Sequence, residues 1–135
     1  MKLFIVALTT IFFLQAGSIE DFAHEHAYET NYEKAIMKAK KENKTVMMIL
    51  VTHYCPWCRK YEKNTLSKKS VSAIIAQKYV PLILNREKHQ FPDKFDTPRI
   101  PTTFFIEPHE ERLIYSEMGF KTKSQFMEMI NRVKD

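Results

Sequence analysis

A chain of 135 residues, of which 44% are hydrophobic, is long enough for one domain with a single core. Its net charge of +5 comes from basic residues that are scattered along the chain, so the sequence does not favour nucleic-acid binding. The only two glycines are Gly17 and Gly119, which excludes a glycine-rich loop for phosphate or dinucleotide binding.

The first 18 residues are predicted to be a secretory signal. Lys2 is followed by the apolar run LFIVALTTIFFLQA, which has the length of a signal rather than of a membrane span. Ala16-Gly17-Ser18 has the small-residue pattern of a cleavage site, with a cut after Ser18 or two residues earlier. The alternative is an uncleaved N-terminal anchor. In both cases residues 19–135 are expected to form a domain outside the cytoplasm, in the periplasm.

The mature chain is predicted to begin with a solvated polar tail over residues 19–30, and the two histidines in it are not expected to bind a metal. Thr30 and Glu33 have the spacing of a capping box. After them an apolar stripe predicts a helix that ends at Asn43 and packs on a sheet. The stripe consists of Tyr32, Ala35, Ile36 and Ala39.

The most informative stretch begins with the apolar run Val46–Val51. A short run of this kind, bounded by Asn43 and Pro56, predicts a strand that is buried on both faces. The motif Cys55-Pro56-Trp57-Cys58 and a polar, helix-forming segment follow. Proline suits the first turn of a helix, so we expect a helix over about residues 56–66 with two thiols at its N-terminus.

This placement predicts a redox-active pair of thiols. The free N–H groups and the dipole of a helix N-terminus stabilise a thiolate, so the pKa of Cys55 is expected to fall below the usual value of about 8.5. Cys58 lies one turn further on the same face, close enough to form a disulfide. Cys55 would attack a substrate disulfide, and Cys58 would resolve the mixed disulfide. The dithiol would itself be the redox group, and no other cofactor is expected.

Other uses of the two cysteines are less well supported. A zinc site needs about four ligands, and the five histidines show no metal-binding spacing. Covalent haem attachment requires a histidine directly after the second cysteine, where this chain has Arg59. A purely structural disulfide remains open, although so short a loop constrains the unfolded chain little.

The second half of the chain predicts a layered α/β domain with a mixed sheet. A helical piece, a strand and a long charged loop are followed by a strand hairpin and a last helix that is capped by Thr122 and Gln125. The expected bounds are about 70–79 for the helix, 80–85 for the strand, 85–98 for the loop, Thr102–Ile106 and 112–118 for the hairpin strands, and residues after Thr122 for the last helix.

A CxxC motif between a buried strand and a helix, followed by Ile100-Pro101-Thr102 before another strand, resembles the thioredoxin family. The segment KFDTPRIPTTFF is similar to the stretch of that family that contains its cis-proline, and Pro101 takes that position. The resemblance covers about residues 29–134. The segment from Lys44 to Leu66 looks like the exported subgroup, which includes reductase domains that serve periplasmic thiols.

The resemblance implies a thioredoxin fold, with a central mixed sheet flanked by helices and a cis-proline loop that faces the CxxC motif. It implies that Cys55 is the nucleophile and Cys58 the resolving thiol. Expected partners are protein thiols and disulfides and a membrane-bound thiol that donates electrons, and the chain is expected to be monomeric. Residues expected to contact substrate are Pro56, Trp57, Arg99, Ile100 and Pro101.

The chain also departs from the family pattern. The buried acid that the family places beneath its cysteines is Ile49 here, and Arg99 replaces a common glycine before the Ile-Pro pair. Arg99 would either lower the pKa of Cys55 or select acidic partners, or it is a solvated side chain. The expected function is reduction of periplasmic disulfides. The alternatives are a disulfide-forming oxidase and a non-catalytic binding module of the same fold.

Overall fold

The structure is a computed structural model, and it describes residues 18–134. Within this range the chain forms five α-helices and four β-strands. The helices are α1 (Ile19–His26), α2 (Tyr32–Glu42), α3 (Pro56–Tyr61), α4 (Lys69–Lys78) and α5 (Lys123–Arg132). The strands are β1 (Thr45–Val51), β2 (Tyr79–Asn85), β3 (Thr102–Glu107) and β4 (Arg112–Met118). A π-helical turn (Glu62–Leu66) continues α3, and a short 3-10 helix (Asp93–Phe95) precedes β3.

The four strands form one mixed sheet in the order β2-β1-β3-β4. Strand β1 pairs in parallel with β2 and antiparallel with β3, and β3 and β4 form an antiparallel hairpin. The predicted mixed sheet flanked by helices is therefore confirmed. Every residue from Val46 to Val51 is buried, as expected for a central strand whose two faces are both covered.

The two faces of β1 support two separate layers of the core, because successive side chains of a strand point to opposite sides. Met47, Ile49 and Val51 belong to the layer that contains both cysteines and buried residues of α1, α4 and α5. Met48 and Leu50 belong to the layer formed with α2 and the 3-10 helix. Ile49 thus lies in the same cluster as the dithiol.

The start of α2 differs from the prediction. The N-cap is Asn31, whose side chain accepts a hydrogen bond of 2.9 Å from the backbone N–H of Lys34, and Thr30 does not cap the helix. Glu29 forms a parallel bridge with Leu82, with its N–H bonded to the carbonyl of Pro81. Since this bridge keeps the chain extended up to Asn31, the helix begins one residue later than the capping-box pattern indicates. The predicted apolar stripe of α2 is buried.

The predicted solvated tail over residues 19–30 was wrong. Ile19–His26 forms α1, which begins with a capping box between Ser18 and Asp21. The buried residues Ile19 and Ala23 pack into the cysteine-containing layer. These contacts stabilise a helix that would be too short to form in isolation.

The predicted signal lies outside the described residues, apart from Ser18. Of the helices that the structure does describe, none has the length and apolar character needed to cross a membrane.

The helix that follows the CxxC motif spans the predicted range but changes form partway. After Tyr61 it continues as a π-helical turn, in which the N–H of Ser67 donates to the carbonyl of Glu62 over 3.0 Å. The hydroxyl of Thr65 donates to the carbonyl of Lys121 over 2.6 Å and ties this turn to the segment before α5. The capping box predicted for the last helix, between Thr122 and Gln125, is present.

Candidate active site

Cys55 and Cys58 form a disulfide at the start of α3, with their Cα atoms 5.2 Å apart. Cys55 is the N-cap of this helix, and Pro56 is its first residue. The Sγ atom of Cys55 accepts a hydrogen bond of 3.2 Å from the backbone N–H of Cys58. The same N–H would stabilise a thiolate at Cys55 in the reduced protein.

The two sulfur-bearing residues differ in exposure. Cys55 is 9% exposed, whereas Cys58 has no exposed surface. Cys58 lies in the core layer that also contains Ile49 and Tyr61. Cys55 is therefore the more accessible of the two residues, which is the asymmetry that an attacking thiol and a resolving thiol require.

Exposed aromatic side chains lie beside the dithiol in the sequence. Trp57 is 57% exposed, and Tyr54 is 91% exposed. The Trp57 ring lies 5.9 Å from the ring of Phe120, and the Lys60 ammonium lies 4.7 Å from the centroid of the Trp57 ring. Pro56 is exposed as well. Trp57 and Phe120 thus form a hydrophobic surface with the positive charge of Lys60 at its edge.

The Ile100–Pro101 peptide bond is cis. Pro101 is buried, and its carbonyl accepts a hydrogen bond of 2.7 Å from the N–H of Gly119 at the end of β4. Ile100 is half-buried and packs against the core layer that contains both cysteines. This contact brings the Ile-Pro pair to the same hydrophobic cluster as the dithiol.

Arg99 is exposed, and its contacts lie along the edge of the sheet. Its Nη1 atom is 3.4 Å from Sδ of Met118 on β4, its backbone N–H donates to the Thr97 hydroxyl over 3.2 Å, and its carbonyl accepts from the Thr102 hydroxyl. The guanidinium group thus rests on an exposed edge residue. A direct effect of Arg99 on the pKa of Cys55 stays a prediction.

An ion pair between the buried Glu62 and the half-buried Arg59 on the active-site helix was not predicted from the sequence. Glu62 is 6% exposed, although its neighbours Lys60 and Lys63 are exposed. Its Oε2 atom lies 2.6 Å from Nε of Arg59, whereas Oε1 has no hydrogen-bond partner among the described residues. Burial raises the pKa of Glu62 to about 7, and the positive charge of Arg59 only partly opposes this effect.

Two buried tyrosines belong to the same region. The hydroxyl of Tyr61 lies 3.3 Å from Oγ1 of Thr103, whereas the hydroxyl of Tyr28 has no hydrogen-bond partner among the described residues. Burial raises the pKa of both, and a negative charge on Glu62 raises the pKa of Tyr28 further. Tyr61 and Glu62 follow Cys58 by three and four residues, which places all three on one face of a helix. This spacing was the signal in the sequence that could have predicted the burial of Tyr61 and Glu62.

Over residues 18–134, no group of three or more histidine, cysteine, aspartate or glutamate side chains is arranged to hold a metal ion.

Comparison with known proteins gives a consistent family. A family model described as thioredoxin-like matches residues 27–108. An uncharacterized protein from Borreliella burgdorferi is 26% identical over 92 residues, which cover 68% of this chain and 40% of that protein. The chain spans less than half of the length of the curated relatives that it matches.

The solved structures that resemble this fold include a thioredoxin from Thermus thermophilus. It has a TM-score of 0.67 and 19% sequence identity, with 78% of this chain and 85% of that chain covered. The oxidised C-terminal domain of DsbD from Neisseria meningitidis has a TM-score of 0.63 and 15% identity, with 78% of this chain and 99% of that chain covered. At these identities the likeness extends to the fold.

Proposed function

Because the chain belongs to the thioredoxin-like family, we propose that it is an exported thiol–disulfide oxidoreductase that reduces disulfides of other proteins through Cys55 and Cys58. The observation that supports this function best is the unequal burial of two cysteines that form a disulfide at a helix N-terminus. Thiol–disulfide exchange requires one cysteine to be more accessible than the other, whereas a purely structural disulfide does not.

In the proposed reaction the Cys55 thiolate attacks one sulfur of the substrate disulfide and displaces the other as a thiolate. Cys58 then attacks Sγ of Cys55, which releases the second substrate thiolate and forms the disulfide of the oxidised protein. Two electrons pass from the dithiol to the substrate. A thiol electron donor at the membrane would reduce the disulfide again.

The groups around the dithiol support the reducing direction. The two residues between the cysteines, Pro56 and Trp57, carry no charge, and Ile49 on β1 is apolar. Glu62 adds a buried carboxylate one turn below Cys58, which disfavours a second negative charge on that sulfur. Destabilising the thiolate favours the disulfide form and lowers the reduction potential, so we expect a value nearer about −270 than about −120 mV.

Substrate proteins would dock on the exposed hydrophobic surface beside Cys55. Trp57 and Pro56 supply exposed apolar area on one side, and the half-buried Ile100, next to the buried Pro101, would supply the other side. Arg99 would contribute a positive charge at the edge of this surface and favour acidic substrate segments. The domain would act on these proteins as a monomer.

Export of the domain to the periplasm is proposed from the predicted signal. Ser18 caps α1, and its hydroxyl accepts a hydrogen bond of 3.1 Å from the N–H of Asp21. Cleavage after Ala16 would keep this cap, whereas cleavage after Ser18 would remove it. The earlier cut is therefore the one that we propose, and retention of the segment as an anchor is the alternative.

The reduction potential tests the direction of the reaction. The purified domain is equilibrated with glutathione buffers of graded ratio, and the fraction of reduced dithiol is measured by alkylation. A potential below about −230 mV supports a reductase, and a potential above about −180 mV would move the function to disulfide formation. The hydrogen bond from the Cys58 N–H to Sγ of Cys55 favours that second candidate, since it stabilises the reduced form.

Turnover of a protein disulfide separates the enzyme from a binding module. The wild-type domain should reduce insulin in the presence of dithiothreitol faster than the reagent alone, and Cys55→Ser should return the rate to this background. Cys58→Ser should form a mixed disulfide that persists. A wild-type domain that does not accelerate insulin reduction would contradict the enzymatic function.

A further inference from the structure

We propose that Glu62 is the group that accepts the proton of Cys58 when this thiol resolves the mixed disulfide. Cys58 is buried, so the bulk solvent cannot take its proton directly. In the family that the sequence resembles, an acidic residue on the central strand accepts this proton, and this chain has Ile49 at that position. The role of Glu62 rests on the proposed exchange reaction through Cys55 and Cys58.

The backbone geometry places Glu62 one turn below Cys58. The N–H of Glu62 donates to the carbonyls of both Arg59 and Cys58. Residues four apart on a helix are neighbours on one face, with about 5–6 Å between their Cβ atoms. Both residues are nearly or fully buried, at 6% and 0% exposure, so this shared face is turned into the protein.

Glu62 is also the only buried carboxylate within residues 18–134. On the strand side, Cys58 shares its core layer with the apolar residues Met47, Ile49 and Val51, none of which can take a proton. Tyr61 and Tyr28 contribute hydroxyls, but their raised pKa values keep them protonated near neutrality. Among the described residues close to Cys58, Glu62 is therefore the acid–base group suited to the transfer.

The protonation state of Glu62 agrees with this role. Burial raises its pKa to about 7, so that near neutral pH the group can both accept and release a proton. Arg59, 2.6 Å away on the same helix, limits the shift and stabilises the carboxylate before the transfer. The orphan Oε1 atom is free of the ion pair and is the oxygen that would receive the proton.

A surface cleft gives the proton a way out. It has a volume of about 390 Å³ and lies between α1 and the active-site helix, where both Arg59 and Glu62 line it. The other titratable groups that line this cleft are Asp21, Glu25 and His26 on α1 and Lys63 on the π-helical turn. Helix α1 lies before the region matched by the family model.

In the mixed disulfide, Oε1 of Glu62 removes the proton from Sγ of Cys58, and the resulting thiolate attacks Sγ of Cys55. The bond between Cys55 and the substrate sulfur breaks, and the electron pair leaves with the substrate thiolate. Protonated Glu62 then releases its proton to solvent through the cleft. In an oxidase the same transfer runs in reverse, so the role of Glu62 does not depend on the direction of net reaction.

Stopped-flow reaction of the reduced protein with an equal concentration of a small aromatic disulfide separates the two steps. The first coloured thiolate reports attack by Cys55, and the second reports resolution by Cys58. General-base assistance commonly contributes about 10²–10⁴-fold, so Glu62→Gln should slow the second release by at least about tenfold and leave the first unchanged. Glu62→Asp, which retains a carboxylate, should restore part of the loss.

The matched control is Glu20→Gln. This change also removes an ion pair, because Glu20 lies 2.8 Å from Lys88. Glu20 is an exposed residue of α1, so both releases should keep their wild-type rates. The wild-type rate constant of the second release should rise with pH through about 7, and this inflection should be absent from Glu62→Gln. Arg59→Met should move the inflection to higher pH, because Arg59 lowers the pKa of Glu62.

The outcomes are distinct. A second release that is as fast in Glu62→Gln as in the wild type overturns the role of Glu62. Equal slowing of both releases also overturns it, since the change would then act on Cys55 or on the fold. A wild-type protein that gives the first release but no second one instead contradicts the proposed exchange function. If Glu62→Gln does not fold, the pH profiles of the wild type, Glu62→Asp and Arg59→Met decide the question.

Discussion

The buried sulfur of Cys58 lies between two regions of different chemistry. The strand wall is the face of β1 formed by Met47, Ile49 and Val51, and it is fully apolar. The helix wall is the inner face of the active-site helix, and it is formed by Arg59, Tyr61 and Glu62. These residues place two charged groups and a hydroxyl at the core. Both walls are largely shielded from solvent, but only the helix wall can exchange protons.

This difference separates stability from chemistry in the domain. The strand wall stabilises the fold through burial of apolar surface, which contributes roughly 25 cal/mol for each Å² removed from water. The helix wall carries a desolvation cost, which appears as the raised pKa of Glu62 and as the unpaired Oε1 atom. A perturbed pKa is typical of groups at functional sites, so a group of this kind beside a dithiol is a candidate for proton transfer during the reaction. We infer that the acid–base function of the site lies on the helix and not on the strand.

Ile49→Asp should have the largest effect on stability, because it introduces an ionisable group into the apolar strand wall. Ile49 is fully buried, so an aspartate at this position would be desolvated. The substitution would also remove the apolar contacts of the isoleucine side chain. We expect a loss of at least about 3 kcal/mol in the free energy of unfolding, measured by urea denaturation of the oxidised protein at neutral pH.

Ile49→Val is the control for packing alone and should cost only about 0.5–1.5 kcal/mol. A loss for Ile49→Asp no larger than for Ile49→Val would mean that the strand wall tolerates charge, and the contrast between the two walls would not hold. Adding Ile49→Asp to Glu62→Gln would show in addition whether an acid on the strand can replace the one on the helix.

The strand wall was predicted from the sequence, whereas the helix wall was not. The run Val46–Val51 is apolar at every position, and only a strand covered on both faces accommodates such a run. The two cysteines were evident because their spacing carries chemistry on its own. Glu62 has lysines on both sides in RKYEK, so its local sequence is typical of a solvated helix surface.

What buries Glu62 is a contact distant in sequence. Residues of α1 line the cleft above it, and α1 itself was predicted to be a solvated tail. The apolar stripe of this helix consists only of Ile19, Phe22 and Ala23, over little more than two turns. A helix of this length forms through its tertiary contacts, and these are not visible in local periodicity. The missed helix and the missed ion pair therefore have one cause.

Glu62→Gln should change how stability depends on pH. The pKa of Glu62 rises on folding from an ordinary 4.5 to about 7, so its contribution to stability is complete below about 4.5 and is lost as pH rises through about 7. This loss is expected to be on the order of 2–3 kcal/mol. Urea denaturation at a series of pH values should give a smaller decrease over this range for Glu62→Gln than for the wild type.

Glu20→Gln is the control with the opposite sign. The exposed Lys88 ion pair lowers the pKa of Glu20, so this residue contributes stability that is present above its ordinary pKa and lost as pH falls. Because the pair lies at the surface, the change should be small. Identical pH dependence of stability in Glu62→Gln and the wild type would indicate that Glu62 is solvated and that the helix wall is open to water.

The smallest expected effects come from the two buried tyrosines, which form a matched pair. The Tyr61 hydroxyl lies 3.3 Å from Oγ1 of Thr103, whereas the Tyr28 hydroxyl has no hydrogen-bond partner within residues 18–134. Tyr61→Phe should therefore cost about 1 kcal/mol in the free energy of unfolding, because it leaves the Thr103 hydroxyl without its partner. Tyr28→Phe should be neutral or slightly stabilising, since it removes a buried polar group that makes no bond. Both values come from urea denaturation at neutral pH, where the two hydroxyls stay protonated. A larger cost for Tyr28→Phe than for Tyr61→Phe would show that the Tyr28 hydroxyl does have a partner in solution.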